Sequence, residues 1–259
     1  MRWALLVVLL GACIPSPDLA VSVARVVRVI DGDSLEVELD GTIIELRLRG
    51  VNAPERHECL GGAASARLAD LTSGQPLTVV TEGEDRFGRS LGEVFVAGES
   101  VAATMVAEGL AITISGDGDS QSFRLQEDAA AAGLGIWSEL ACGASGPRTR
   151  IDIVAMEANP AGADEDNLSK ETVTIANSEP VSVDLSGWTL RDESTANRFT
   201  IPAGTAIASG ANLTISSGCE ASAGVIAWCA DGPVWNNGGD SAFLLDTAGR
   251  IVSFYRHRP

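Results

Sequence analysis

Three short polar clusters in the first half of the chain carry residue types that suit phosphate chemistry. They are residues 31–34 (Asp-Gly-Asp-Ser), residues 47–55 (Arg-Leu-Arg-Gly-Val-Asn-Ala-Pro-Glu) and residues 85–89 (Asp-Arg-Phe-Gly-Arg). Arginine forks bind phosphate oxygens in pairs, carboxylate and carbonyl oxygens bind Ca²⁺, and a glutamate can take a proton from water. Each cluster alone has an ordinary explanation as a turn, a strand residue or a loop charge. Together they favour hydrolysis of a phosphodiester.

The order and spacing of these clusters resemble the staphylococcal-nuclease (thermonuclease) family. The family pattern reads roughly Asp-Gly-Asp-Thr, then Arg-Leu-x-Gly-Ile-Asp-Ala-Pro-Glu, then Asp-x-Tyr-Gly-Arg. Residues 108–111 (Glu-Gly-Leu-Ala) and 135–137 (Gly-Ile-Trp) extend the resemblance, which covers about residues 21–142. Several motifs in the same order are more specific than any one of them. The resemblance implies an OB-fold β-barrel with packed helices, an α+β domain.

The resemblance also implies a role for each matching residue. Glu55 would be the general base for the attacking water, and Arg47 and Arg89 would hold the phosphate and stabilise charge in the transition state. Asp33 would bind the Ca²⁺ cofactor together with the backbone carbonyl of Ala53. The family reaction cleaves DNA or RNA at the 5′ P–O bond and leaves 3′-phosphates.

Two positions depart from the family pattern. The second metal-binding aspartate of the family is Asn52 here; its amide oxygen can still coordinate Ca²⁺, but one negative charge is lost. We therefore expect weaker Ca²⁺ binding rather than loss of activity. Phe87 replaces the usual tyrosine, so no hydroxyl is available there for a phosphate.

The hydrophobic pattern predicts the elements that position these clusters. Alternating apolar residues predict strands at 35–39 and 44–48, joined by a tight turn at Asp40-Gly41, after a first strand at 21–30. This hairpin places the first cluster at a strand turn and the second at the end of the following strand. Further strands are predicted at 77–80 and 92–96, and helices at 63–71, 101–108 and 123–132. That order fits a small barrel with helices packed on it.

The second half of the chain has a different pattern. Residues 143–149 have the composition of a linker, and residues 150–259 contain short alternating runs between turn residues, which predict an all-β sandwich. Residues 171–177, 184–192 and 234–240 resemble the lamin-tail domain, an immunoglobulin-like sandwich often appended to secreted bacterial nucleases. The chain is therefore expected to be multidomain, with a binding or targeting accessory as its second unit.

Residues 1–20 predict export. Arg2 precedes a short apolar stretch that is too short to span a bilayer as a helix. The residues ending at Cys13 (Leu-Gly-Ala-Cys) resemble a bacterial lipobox, in which this cysteine is lipidated; an ordinary signal peptide with an incidental cysteine is the alternative. We expect an exported bacterial protein, either a lipoprotein anchored in a membrane at the cell surface or in the periplasm, or a secreted protein.

Four cysteines remain if Cys13 takes a lipid, and export permits disulfides. Four cysteines allow three pairings, of which the simplest joins Cys59 to Cys142 and Cys219 to Cys229, each within one domain. Free buried thiols are the alternative. Metal binding by these cysteines is disfavoured because neither a CxxC motif nor clustered histidines accompany them.

A formal net charge of −17 argues against a protein that wraps nucleic acid with a basic face. It does not exclude an enzyme, expected to be a monomer, that binds one phosphate of a DNA or RNA substrate locally. The leading hypothesis is an exported calcium-dependent nuclease. The alternative is a low-activity nuclease-fold surface lipoprotein that serves binding or adhesion, or a chain whose β-sandwich is the working part. Asn52 and the acidic charge favour the alternative, whereas retention of Arg47, Glu55 and Arg89 favours the enzyme.

Overall fold

The computed structural model describes residues 20–116, 118, 120–144, 149–162, 167–194, 196–220 and 222–258. Cys13, with the rest of the predicted export signal, lies outside the described residues, as does most of the predicted linker. Among the helices of the described ranges, none is long and apolar enough to cross a membrane.

The first domain is a β-barrel with packed helices, which confirms the predicted fold class. In chain order its elements are β1 (Ala20–Val29), β2 (Ser34–Leu39), β3 (Thr42–Leu48), β4 (Val51–Asn52), α1 (Gly61–Thr72), β5 (Leu77–Glu84), β6 (Ser90–Val96), β7 (Glu99–Ser100), α2 (Val101–Ala107), β8 (Ile112–Thr113) and α3 (Ser120–Ala131).

The barrel closes because β3 pairs with strands on both of its edges. The strand order is β3-β2-β1-β5-β6-β7, and β3 also runs parallel to β6, so that five strands form a closed ring. Alternate residues of a strand face opposite sides, and Leu35 and Val37 of β2 and Leu46 of β3 are fully buried inside the ring. Asp40 (φ 50°) and Gly41 (φ 79°) form the predicted tight turn between β2 and β3.

The helices pack on the barrel, and capping residues and glycines mark where two of them begin or end. The Ser100 hydroxyl accepts a hydrogen bond from the backbone N–H of Ala103 (3.2 Å) and so caps the start of α2. Gly133, with φ 63°, ends the turn after α3. That helix begins three residues earlier than predicted, because the polar residues 120–122 lie outside its apolar stripe. The two-residue strands β4, β7 and β8 were not predicted, because two residues are too few to show alternation.

The second domain is built from β-strands in small sheets, as predicted for an all-β unit; all of its strand pairs in the described residues are antiparallel except the parallel pair β15–β16. Its strands are β9 (Ile151–Glu157), β10 (Thr172–Asn177), β11 (Val183–Asp184), β12 (Thr189–Arg191), β13 (Arg198–Thr200), β14 (Ala206–Ile207), β15 (Asn212–Ser216), β16 (Val225–Ala227), β17 (Asp240–Leu245) and β18 (Ile251–His257).

Two four-stranded sheets, β16-β15-β10-β9 and β13-β12-β17-β18, enclose the core of this domain. The core includes Ile175 from the first sheet, Leu190 and Leu244 from the second, and the ring of Trp188. The two sheets meet where the Ser253 hydroxyl of β18 accepts a hydrogen bond from Ile153 N of β9 (3.0 Å). The arrangement agrees with the predicted immunoglobulin-like sandwich.

The two domains share a small hydrophobic core. Ile136 and Trp137 from the first domain pack with Phe243 and Ile251 from the second, and the rings of Trp137 and Phe254 lie 5.0 Å apart. The predicted disulfides are both present: Cys59 with Cys142 in the first domain and Cys219 with Cys229 in the second. Trp137 is thus a residue of the core between the domains.

Candidate active site

The β2–β3 hairpin brings the first two polar clusters together. Ser34, at the start of β2, pairs in register with Arg47, near the end of β3. Because Leu46 and Leu48 point into the barrel, the side chain of Arg47 lies on the opposite face of the strand. The hairpin register therefore places the Asp31–Ser34 turn beside this arginine.

Arg47 is held by a dense set of hydrogen bonds. Its Nη1 donates to the carbonyls of Leu48 (2.7 Å) and Val51 (2.8 Å), and its Nη2 donates to Oδ1 of Asn52 (2.9 Å). The same Nη2 forms an ion pair with Oδ2 of Asp33 at 3.0 Å. Within the described part of the chain, its Nε forms no hydrogen bond, so one edge of the guanidinium is available to an anion.

Asp33 is the buried carboxylate of the site. Oδ2 also accepts a hydrogen bond from the backbone N–H of Ala53 (2.6 Å), and Oδ1 accepts one from the Ser34 hydroxyl (3.0 Å). Burial raises the pKa of Asp33 to about 6, although the positive charge of Arg47 opposes the rise; the negative charge of Asp31 adds to it. The charged form of this buried carboxylate is therefore stabilised by the positive charge of Arg47.

Arg89 reaches the same place from the turn before β6. Its Nε donates to Oδ2 of Asp85 (2.7 Å), and its Nη1 lies 3.5 Å from the hydroxyl of Ser34. Burial works to raise the pKa of Asp85, but hydrogen bonds from the backbone and side chain of Arg89 outweigh it and lower that pKa. Ser34 thus contacts both Asp33 and Arg89 and links the first and third polar clusters.

Glu55 lies on the segment of residues 52–58, here called the catalytic loop, which begins at the last residue of β4. Its carboxylate makes no hydrogen bond or ion pair with any described residue, and the structure brings it into contact with neither Arg47 nor Arg89. Its backbone is fixed by a close approach to α1, because a Cβ on Gly61 would lie 1.8 Å from the carbonyl oxygen of Glu55. The side chain is left half-buried and free to accept a proton.

The residues predicted to bind calcium converge on one positive group. Asp33 and Asn52 each place an oxygen within 3.0 Å of the same atom, Nη2 of Arg47. A buried carboxylate and an amide oxygen facing one positive charge are donors of the kind that a hard cation takes. The backbone N–H of Ala53 donates a hydrogen bond to Oδ2 of Asp33. In the described ranges no cluster of three or more His, Cys, Asp or Glu side chains could hold a metal ion. In the structure both oxygens are bound to Arg47, and the set carries one carboxylate.

The sequence did not reveal that the second domain reaches this site. Asn52 Nδ2 donates to the backbone carbonyl of Glu193 (3.0 Å), which is 141 residues away. Glu58, on the catalytic loop, forms an ion pair with Arg198. Nothing in the local pattern around residues 193 and 198 marks them as part of a site. The one hint in the sequence was Asn52 itself, where the family pattern has an aspartate.

The second domain adds buried acids beside these contacts. Burial raises the pKa of Glu193 to about 8, and the charge of Asp240 adds to the rise. Burial also raises the pKa of Asp240 to about 7. Burial lowers the pKa of the neighbouring Arg191 to about 10, and the charge of Arg198 contributes to the fall.

Comparison with known proteins identifies relatives of both parts of the chain. Residues 45–139 match the family described as "Staphylococcal nuclease homologue", and residues 145–258 match the "Lamin Tail Domain". The chain is 35% identical over 127 residues to "Micrococcal nuclease" from Shigella flexneri, covering 44% of this chain and 73% of the relative. It is 33% identical over 138 residues to "Protein ParB" from Escherichia coli, covering 49% and 78%. An "Uncharacterized endonuclease" from Escherichia coli O157:H7 is 34% identical over 117 residues, covering 44% and 76%.

Proposed function

The chain belongs to the staphylococcal nuclease homologue family and carries a lamin tail domain after its nuclease domain, and from this premise we propose that it is an exported, calcium-dependent endonuclease. The reaction is hydrolysis of phosphodiester bonds in DNA or RNA. By analogy with the family, the 5′ P–O bond is cleaved and 3′-phosphates are left.

One observation carries the proposal: two arginines and a buried carboxylate meet around the start of β2, and a glutamate whose carboxylate has no partner among the described residues lies on the catalytic loop, whose first residue, Asn52, contacts Arg47. Arg47 contacts Asp33 directly, and Arg89 approaches the same residue through Ser34. The Nε edge of Arg47 and the unpaired carboxylate of Glu55 are left for other partners. This is the set of groups that phosphodiester hydrolysis uses.

The chain's own residues would divide the work as follows. Arg47 and Arg89 hold the non-bridging oxygens of the phosphate and offset the negative charge that grows in the transition state. Glu55 takes a proton from the attacking water, whose oxygen bonds to phosphorus while the bond to the leaving oxygen breaks. Asp33, Asn52 and the carbonyl of Ala53 would hold calcium. The ion would supply further positive charge beside the phosphate.

The deciding experiment is a cleavage assay on single-stranded DNA with the Glu55→Gln variant. Glutamine keeps the size of the side chain but cannot accept the proton, so we expect kcat to fall by about 100-fold or more. Glu99→Gln, at an exposed position in β7, is the matched control and should cleave like the unaltered protein. Equal cleavage by Glu55→Gln would reject the assigned mechanism.

Calcium dependence is tested separately. Cleavage should stop with a chelator and return with added Ca²⁺. Asn52→Asp adds a second carboxylate and should increase Ca²⁺ affinity, measured by calorimetry, while the loss of its hydrogen bond to the Glu193 carbonyl should lower kcat. No gain in affinity would count against Asn52 as a ligand. If the unaltered protein cleaves no nucleic acid at any Ca²⁺ concentration, the alternative hypothesis of a nuclease-fold binding module is favoured.

Export and lipidation rest on the N-terminal sequence, and the two disulfides support an oxidising compartment. The proposed location is a bacterial membrane facing the periplasm or the exterior, reached through a lipid on Cys13. Cells fed a labelled fatty acid should label this protein but not its Cys13→Ser variant. Label that persists in the variant would show that Cys13 is not the attachment point.

A further inference from the structure

The catalytic loop is contacted at its first residue by the second domain. Asn52 sits between two groups of opposite character: its Oδ1 accepts from Arg47 Nη2, and its Nδ2 donates to the carbonyl of Glu193. Only an amide can satisfy both partners, because a carboxylate has no proton for a carbonyl. An aspartate at this position would place two acceptors face to face. The asparagine that departs from the family pattern is therefore explained by contact with the second domain.

The last residue of the loop is held by the same part of the second domain. Glu58 forms an ion pair with Arg198, and both side chains are partly exposed. Oε2 of Glu58 also accepts a hydrogen bond from the backbone N–H of Glu55 (3.0 Å). The carboxylate that Arg198 holds thus fixes the backbone of the candidate general base.

Both contacts come from one β-hairpin, here called the docking hairpin and defined as β12, β13 and the described turn residues 192–194 and 196–197. Its turn is tied together by Asp192, whose carboxylate accepts from Ser194 N (2.9 Å) and Asn197 Nδ2 (2.7 Å). It is also tied to the nuclease domain, because Oε1 of Glu193 accepts from Ser115 N (2.6 Å). The hairpin touches the catalytic loop at both ends.

We propose that the lamin tail domain completes the nuclease active site, with Glu58 and Arg198 as positioning residues that set the catalytic loop through the docking hairpin, which also holds the candidate ligand Asn52. The inference rests on the proposed nuclease function. A displacement of about 1 Å in a catalytic group can cost about 100-fold in rate, so contacts that fix the backbone of Glu55 act on kcat. Substrate affinity depends mainly on the arginines, so KM should change little.

The test compares two ion pairs between the domains. Arg198→Met removes the pair with Glu58 at the catalytic loop. Arg258→Met removes the pair between Arg258 and Glu127 of α3 (2.8 Å), which joins the same two domains elsewhere. We expect Arg198→Met to lower kcat about 10-fold or more with KM within about twofold. Arg258→Met should leave both constants unchanged, and Arg198→Lys should recover part of kcat because the charge is kept.

A second measurement does not depend on activity. Hydrogen–deuterium exchange at the Glu55 amide should speed up in Arg198→Met and stay unchanged in Arg258→Met, because the acceptor of that amide, Glu58, loses its partner. In the double variant Glu58→Gln/Arg198→Met, kcat should fall no further than in the worse single variant, since both changes break one chain of contacts.

The outcomes separate this inference from the proposed function. If Arg198→Met keeps the kcat of the unaltered protein, or if Arg258→Met loses as much, positioning by the docking hairpin is rejected. If the unaltered protein cleaves no nucleic acid, the proposed function fails, and the exchange experiment still decides whether the hairpin fixes the loop. Faster exchange at Glu55 in Arg198→Met alone supports the inference, and equal exchange in all variants overturns it.

Discussion

Two of the places where the domains meet have opposite chemistry. At one, here called the apolar contact, Trp137 packs against Phe243 and Phe254 with ring centroids 6.3 and 5.0 Å away. At the other, here called the polar contact, the docking hairpin binds the catalytic loop through the hydrogen bond from Asn52 and the ion pair of Glu58. Both places join the same two domains, but only the polar contact reaches the candidate active site.

The difference teaches that stability and orientation come from different parts of one interface. Apolar burial is non-directional and contributes free energy in proportion to the area removed from water. Hydrogen bonds contribute about 1 kcal/mol each on balance, but they specify distances and angles. The apolar contact should therefore govern how firmly the domains associate, and the polar contact should govern where Glu55 lies.

The largest expected effect is at the apolar contact. Phe243 is fully buried, and Phe243→Ala should lower the free energy of unfolding by about 3 to 5 kcal/mol, because it removes transfer free energy and leaves a cavity. Urea unfolding measures the loss. Phe87→Ala, at a phenylalanine that is 69% exposed, is the control for stability and should change it by less than about 0.5 kcal/mol. Similar losses in both variants would contradict the assignment of Phe243 to a shared core.

A covalent link gives the next largest effect. The disulfide between Cys59, just beyond the catalytic loop, and Cys142 spans 83 positions, whereas Cys219 and Cys229 are 10 apart. Because a longer loop loses more entropy when it is closed, replacing the first pair by alanines should cost about 3 to 4 kcal/mol, and replacing the second about 1 to 2 kcal/mol less. Urea unfolding under oxidising conditions compares them. A larger loss from the shorter loop would contradict the entropic explanation.

The apolar contact and the polar contact also differ in what the sequence could reveal. Alternation of apolar residues predicted β2, β3 and the turn at Asp40-Gly41, because one barrel face is buried and the pattern repeats every second residue. The three polar clusters could be identified because each is continuous in sequence and the hairpin register alone joins two of them. The fold of each domain and the proximity of Arg47 to the Asp31–Ser34 turn were predictable on that basis.

The polar contact was not predictable, because its partners are far apart in the chain. Asn52 could be seen as a departure, but the carbonyl it binds belongs to Glu193. Trp137 could be seen as a core residue, but its ring neighbours Phe243 and Phe254 lie in the other domain. Local sequence patterns predict helices and strands, whereas contacts between domains depend on the complementarity of two folded surfaces.

The buried acids beside the polar contact should make stability respond to pH, whereas the apolar contact should not. Burial raises the pKa of Asp240 to about 7, with the charge of Asp192 adding to the rise and a hydrogen bond from Asn236 opposing it. The unfolded value is lower, so this group stabilises the fold at low pH, and its contribution is lost as pH rises towards 7. Between pH 4.5 and 6.5 the loss is on the order of 2 kcal/mol.

Thermal unfolding over this range tests the assignment. Asp240→Asn should flatten the dependence but not abolish it, because Glu193, with a pKa of about 8, contributes with the same sign. Phe243→Ala should lower the curve at every pH and keep its slope. An unchanged slope in Asp240→Asn would show that this carboxyl is already ionised in the folded protein at pH 4.5.

The smallest stability effect belongs to the ion pair that matters most for rate. Arg198 and Glu58 are partly exposed, with side-chain exposures of 33% and 22%, and such pairs contribute about 0 to 1 kcal/mol. Arg198→Met should therefore lower the free energy of unfolding about as little as Arg258→Met does, although only the first should lower kcat. A loss from Arg198→Met as large as that from Phe243→Ala would mean that the polar contact holds the domains together. The separation between stability and orientation would then fail, because the drop in kcat could follow from partial undocking of the second domain.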